Sequence, residues 1–346
     1  MFGPVPLPRT FEACLRDVTS ESAPVRASAF ADLGRHQARV EGERSRVIAC
    51  LERGILHDNE SRVRVAAVLA AADLDGRAVL PALLVACEDD APFVREMAVR
   101  TLGEAGDARA IPKLRRLLDD DRTELRYQAV TAWSRMPHET VAECMEPLFA
   151  VFRREGEHSE VRLMVLRVVD EHVEQMEPGA PVPGLEAVLS HAAGEANMRL
   201  LAGIILSKLG NPEGRNIVAE CIHRRPLPGH SASEDDREAV LLAGRFRWTE
   251  TIPSLRRRAR GIGRWLADTC ATESLISLAA MGDTRALSDA AELTRKARGA
   301  ARASMAMLLA RARVTDAIPW LTGDAVHDTA VRDALIELQK AASNSL

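Results

Sequence analysis

Nine histidines (36, 57, 138, 158, 172, 191, 223, 230 and 327) and six cysteines (Cys14, Cys50, Cys87, Cys144, Cys221 and Cys270) are the residues best suited to bind a metal or act as a nucleophile. A metal site needs several ligands converging, which a chain supplies most simply as CxxC, CxxH or closely spaced histidines. The cysteines are 36, 37, 57, 77 and 49 residues apart and form no such pair. The histidines fall near expected turns and helix ends, and none is read as pairing with a second ligand three or four residues on. Solvated histidines and small buried thiols in a reducing compartment are the expectation. GxGxxG, P-loop, GxSxG and HExxH patterns are absent. No catalytic, cofactor-binding or metal residue is therefore assigned, no cofactor is expected, and the chain is read as not an enzyme.

Arginine is the other chemically marked residue. Only Lys113, Lys208, Lys296 and Lys340 are lysines among the 46 basic residues. Arginine at this density suits carboxylate or phosphate recognition; spread over the whole chain, it is also what a GC-rich genome encodes. One stretch is denser than the rest. From 245 to 264, Arg245, Arg247, Arg256, Arg257, Arg258, Arg260 and Arg264 face a single acid, Glu250, with Trp248 and Trp265 beside them. Three readings stand: a solvated helix face, a surface for an acidic protein, or a nucleic-acid contact.

The elements that position these residues follow from composition and repetition. Hydrophobic residues are 47% of 346 positions and aromatics 3%, so Ala, Leu and Val build the interior and helices are favoured. A net charge of -4 provides no global field toward nucleic acid or anionic lipid. No apolar run reaches the roughly 18 residues of a membrane span, so no membrane partner is expected. Met1–Thr10 carries three prolines and no apolar h-region, and a cytoplasmic location is expected.

Self-similarity decides the architecture. An apolar residue, Arg, then small and apolar residues recur with the marked position at 26, 64, 95, 126, 162, 199, 237, 271 (Ala in place of Arg), 302 and 332. The intervals run from 30 to 38 residues. A second beat, AVLPAL from Ala78, AIPKL from Ala110, TIPSL from Thr251 and AIPWL from Ala317, puts Pro in the first turn of a preceding helix. Each unit thus reads as helix A, a polar turn and helix B, with apolar residues at offsets +2, +3, +6 and +7 from the mark. One such hairpin cannot bury both stripes alone, whereas a stack can. The predicted fold is all-α: a right-handed α/α solenoid of about ten hairpins, a single array over 1–346 with repeats 1–5 at about 8–174 and repeats 6–10 at about 183–342.

These units resemble HEAT repeats, in particular the short bacterial PBS-lyase-type HEAT-like variety. Phe93 to Asp121, FVREMAVRTLGEAGDARAIPKLRRLLDDD, carries the resemblance most fully. It implies that helix B lines the concave face and that turn Asp and helix-B Arg form a ladder between repeats. An Asp six residues before the Arg occurs in Asp58/Arg64, Asp89/Arg95 and Asp120/Arg126, and later repeats have Gly156, Ser231, Lys296 or Val326 there. Related HEAT-like enzymes are excluded residue by residue. Deoxyhypusine hydroxylases use several His-Glu dipeptides, and this chain has only His138-Glu139. Alkylpurine DNA glycosylases use a concave Asp with aromatics, and Tyr127 is the sole candidate aromatic. A phycobilin-lyase-like enzyme or subunit stays as an alternative.

Departures from the repeat are where function is sought. Glu174–Gly184 (EQMEPGAPVPG) is a Pro/Gly linker or a long turn. Arg224–Asp236 (RRPLPGHSASEDD) reads as a loop whose acidic end, Glu234, Asp235, Asp236 and Glu238, either caps helix B or meets a basic partner. Trp320 is expected exposed or under the C-terminal tail, and Trp133 packed. Offsets +1, +4 and +5 are read as facing outward on helix B. In repeats 4–7 they carry Tyr127, Leu163, Leu166, Arg167, Leu200, Ile204, Leu241 and Leu242, an apolar strip for a partner's amphipathic or extended segment. The expected function is a protein-binding adaptor that uses this strip and the 245–264 arginines. Its partner would carry an acidic or amphipathic segment; nucleic acid is the competing partner.

Overall fold

A computed structural model describes residues 9–36, 40–137, 141–173, 184–196, 198–224, 233–260, 270–322 and 328–343. Among these residues there are twenty α-helices, a few single 3₁₀ turns and no strand. They alternate as A and B helices. The pairs are α1 (Phe11–Asp17) with α2 (Ala23–Leu33), α3 (Val40–His57) with α4 (Ser61–Leu74), and α5 (Leu80–Ala86) with α6 (Pro92–Ala105). Next come α7 (Ile111–Leu118) with α8 (Thr123–Trp133), α9 (Val141–Arg153) with α10 (Ser159–Val173), and α11 (Leu185–Gly194) with α12 (Arg199–Lys208). The remaining pairs are α13 (Pro212–His223) with α14 (Glu234–Arg245), α15 (Ile252–Arg260) with α16 (Ala271–Ala280), α17 (Thr284–Lys296) with α18 (Ala300–Arg311), and α19 (Ile318–Leu321) with α20 (Thr329–Ser343). All ten marked positions lie in B helices.

The chain divides into two compact units, 1–188 and 189–346. In the first, consecutive B helices α2, α4, α6, α8 and α10 pack side by side, and each A helix packs on its own B helix. The same side-by-side order links α12, α14, α16, α18 and α20 in the second, where α14 also touches α18. Each unit is a two-layered α/α solenoid.

A B helix in such a stack has neighbours on three sides, so it buries more than one stripe. Offset +4 is in the core wherever a large residue stands there before the last repeat: Phe30, Val68, Val99, Val130, Leu166 and Leu241 are all 2% exposed or less, and Leu275 is 8% exposed. Offset +2, expected in the core, is exposed at Ser28 and half-buried at Met97. Trp133 is buried, its indole N–H donating to the Cys144 carbonyl at 3.0 Å. Trp320 packs half-buried on the core of the second unit.

Polar turns between A and B helices are held by the marked arginines. In four successive repeats one Nη1 donates to the carbonyls five and six residues earlier: Arg26 to Ser20 and Glu21, Arg64 to Asp58 and Asn59, Arg95 to Asp89 and Asp90, Arg126 to Asp120 and Asp121. The rest of the guanidinium reaches forward to the next turn. Arg26 grips Asp58 at 2.7 and 2.8 Å, Arg64 grips Asp89 at 2.7 Å twice, and Arg126 grips Glu157 at 2.7 and 2.6 Å. Asp58 and Asp89 also accept from the amides of Glu60 and Ala91 two residues on, so one carboxylate shapes its own turn and anchors the preceding repeat. Asp120 breaks the series by pairing with Arg122 instead of Arg95. Glu157 extends it beyond the three Asp/Arg pairs legible in the sequence.

Burial alone would raise the pKa values of Asp58, Asp89 and Glu157, but the arginine and amide hydrogen bonds outweigh it and hold all three below their ordinary values. Their stabilising contribution is therefore complete above the unfolded-state values of 3.8 and 4.5 and is lost as pH falls through the lower folded-state values. Helical circular dichroism during acid titration is expected to fall only below about pH 4.

Candidate functional site

The apolar strip expected along helix B is not an exposed surface. Leu166, Ile204, Leu241 and Leu242 are each 1% exposed or less and belong to the cores of their own units. The offsets placed them outward because they were drawn for a helix with one buried face. In the N-terminal unit Tyr127, Leu163 and Arg167 are half-buried; in the C-terminal unit Leu200 is half-buried and packs on the core. The large apolar side chains that are exposed stand elsewhere: Val85 and Phe93 in the first unit and Met307 in the second are more than half exposed.

The arginine-rich stretch divides among several places in the C-terminal unit. Arg258 is buried and donates Nη2 to the carbonyls of Arg224 at 3.1 Å and Cys221 at 3.4 Å, where α13 ends. Arg257, exposed, donates to Ser254 Oγ at 3.1 Å, and His223 Nδ1 lies 3.0 Å from the same oxygen. Cations at a helix C-terminus complement its dipole and its open carbonyls, so these two arginines tie α15 to the end of α13. Arg256 turns the other way, to Asp283 at 3.0 Å. The side chain of Arg260, together with Arg264 and Trp265, lies outside the described residues.

Arg245 and Arg247 close α14. The Arg245 guanidinium lies 5.5 Å from the Phe246 ring centre, Phe246 stacks on Trp248 at 5.8 Å, and Arg215 covers Trp248 at 5.9 Å while pairing with Glu250 at 2.7 Å. The result is a file of two stacked rings with a cation at each end. Arg247 has φ +53° and is exposed. Its amide bonds to the Gly244 carbonyl and the Trp248 amide to Ala243, a helix C-terminal pattern that places a left-handed residue at this point. Glycine fills that place after α12 and α16, as Gly210 and Gly282, while Arg313 fills it after α18. A left-handed residue bearing a Cβ costs roughly 1–2 kcal/mol. Among the described residues the Arg247 side chain makes no hydrogen bond or ion pair.

The acidic end of the 224–236 segment is a helix start. Ser233 Oγ accepts from the Asp236 amide at 3.1 Å and the Asp236 carboxylate accepts from the Ser233 amide at 2.9 Å, a reciprocal capping box with Glu234 and Asp235 in the first turn. Glu238 serves another purpose: mostly buried, it lies 3.5 Å from Lys208 and 2.8 Å from Arg311. Residues 225–232, the 174–183 part of the Pro/Gly linker, and His138-Glu139 lie outside the described residues.

Burial pushes the Cys87 thiol up to about 12 and those of Cys144 and Cys221 up to about 11, which suits packing rather than nucleophilic attack. One histidine does have a neighbour four residues on: His191 Nε2 is 3.0 Å from Glu195, a surface pair. Among the described residues no three His, Cys, Asp or Glu side chains gather to hold a metal. No helix among them is long and apolar enough to cross a membrane.

The structure thus defines the class as α/α solenoid. Residues 48–134 match the family model of HEAT repeats, and the HEAT-repeat family is the one these repeats support. Among solved structures, YibA of Escherichia coli is similar with TM-score 0.50 and 13% identity, covering 77% of this chain and 91% of its own. At that identity the likeness speaks for the fold alone. An engineered protein gives TM-score 0.44 at 14% identity (96% and 98% covered), and Kap121p bound to Pho4p gives 0.48 at 14% (95% and 40%). No curated protein sequence matches the chain.

Proposed function

We propose that this chain is a non-catalytic scaffold of the PBS-lyase-type HEAT-like variety, cytoplasmic and bacterial, that holds an acidic segment of a partner protein at the end of α14. Arg247 carries the reading. It keeps an exposed cation, unpaired among the described residues, at a backbone position where glycine would relieve strain, as it does after α12 and α16. Strain retained at an exposed polar residue points to recognition rather than to folding. The exposed Arg257 adds positive charge on the following helix, and the Arg215–Trp248–Phe246–Arg245 file stiffens the turn that presents Arg247. In the N-terminal unit, the half-buried Tyr127, Leu163 and Arg167 are what remains of the expected B-helix strip to touch a partner.

Exchanging Arg247 for Gly tests this with two readouts that move in opposite directions. Thermal or urea stability is expected to rise by about 1 kcal/mol as the left-handed strain is released. Capture of the partner from the native host, followed by mass spectrometry, is expected to weaken, and Arg247→Glu should abolish it. Undiminished capture by both variants would sink the proposal. If the wild type retains DNA with steep salt dependence, and no protein, the nucleic-acid alternative takes its place.

A further inference from the structure

The N-terminal unit carries a second concentration of positive charge that the partner reading does not use. A cleft of about 460 Å³ opens between the α1–α2 turn and helix α3. Its floor is apolar (the buried Val18 and Phe30), and Arg46, Cys50, Arg53 and His57 line it from one face of α3, spaced by four, three and four residues. Thr19, Ser20 and Asn59 add polar groups at the rim.

The charge in this cleft is unbalanced. Arg26 and Asp58 also line it, but they are already locked together by two hydrogen bonds, and the remaining Arg26 nitrogen serves backbone carbonyls. That pair is neutral as a unit. Arg46 meets Glu12 at 3.5 Å and Glu43 at 3.7 Å, long contacts between exposed side chains that hold it weakly. Arg53 is exposed and has no carboxylate partner among the described residues. Two guanidinium groups, two helical turns apart over an apolar floor, therefore face a space whose one carboxylate among the described residues, Asp58, is already taken by Arg26. The field of both reaches the Cys50 thiol between them: burial pushes it up while Arg46 and Arg53 pull it back.

We infer that this cleft binds a phosphate monoester, its dianion held between Arg46 and Arg53. A phosphate monoester carries nearly two negative charges and three acceptor oxygens, matching two forked donors better than a single carboxylate does. Its organic part would rest on Val18 and Phe30. The site is independent of Arg247, so either proposal can fail without the other.

Calorimetric titration of the full chain with inorganic phosphate and with a short phosphoserine peptide tests the assignment. Saturable one-to-one binding is expected, and the bound phosphate should slow alkylation of Cys50 by iodoacetamide, read at that peptide by mass spectrometry. Arg46→Gln and Arg53→Gln should each weaken binding about tenfold or more, with helical circular dichroism unchanged. Peptide binding at least about tenfold tighter than inorganic phosphate would identify a phosphorylated protein as the source; equal binding would identify a small phosphorylated molecule. The inference is overturned if neither probe saturates, if both variants bind like the wild type, or if a peptide with Glu in place of phosphoserine binds equally well.

Discussion

Replacing Arg126 by Met is expected to remove about 3–5 kcal/mol from the stability of the N-terminal unit. The Glu157 side chain is 0% exposed and that of Arg126 7% exposed, so neither can exchange its partner for water. Arg126 offers the carboxylate two short hydrogen bonds and at the same time holds the carbonyls of Asp120 and Asp121. Met fills much of the same volume but leaves a buried carboxylate facing methylene groups. The carboxylate must then take up a proton or draw water inward, and the turn before α8 loses its brace. Urea denaturation is the measurement, with hydrogen exchange across α8 and α10 locating the loss. A double variant, Arg126→Met with Glu157→Leu, should recover a good part of it, because a buried ion pair is often matched by apolar packing. A loss below about 1 kcal/mol for the single variant would mean that the pair resembles an ordinary surface salt bridge.

The second large effect is expected from Gly214→Ala, at about 3 kcal/mol in the C-terminal unit. Helices α12 and α13 meet through Gly203 and Gly214. A Cβ built on Gly214 would lie 2.5 Å from the Ser207 amide nitrogen, 2.6 Å from Leu206 Cβ and 2.7 Å from the Gly203 carbonyl oxygen. Two of these atoms are backbone, so no rotamer change relieves the clash and the helices themselves must separate. Alanine is the better helix former, and propensity alone predicts a gain of up to about 1 kcal/mol. The sign of the measured change therefore decides whether close packing or helix propensity governs this position. A stabilised Gly214→Ala variant would show that the two helices do not approach as closely as described.

Much of this architecture is legible in residue types. The ladder of marked positions, the Pro-marked A helices and the capping residues place the elements, because helix periodicity and turn chemistry act within about ten residues of chain. The three Asp/Arg spacings are visible for the same reason. That Asp120 leaves the ladder and Glu157 joins it is not. Glu157 stands one place later than the repeat predicts, directly after Gly156 at φ +71°. An acid anywhere in the turn, rather than at one spacing, is the signal that would have found it.

Sequence by itself determined that this chain is helical, that its hairpins repeat, and that nine of the ten carry an arginine at the marked position, since periodicity and turn chemistry act between near neighbours. Tertiary structure decided everything that depends on the width of a buried face. It drew Leu166, Ile204, Leu241 and Leu242 into the cores, because a stacked helix is covered on three sides rather than one. It dispersed the 245–258 arginines, because the open carbonyls at the end of α13 and the carboxylate of Asp283 compete for guanidinium groups from opposite sides of α15. It also left Arg46 and Arg53 without a strong counter-charge, a fact of spatial placement that no spacing along the chain discloses.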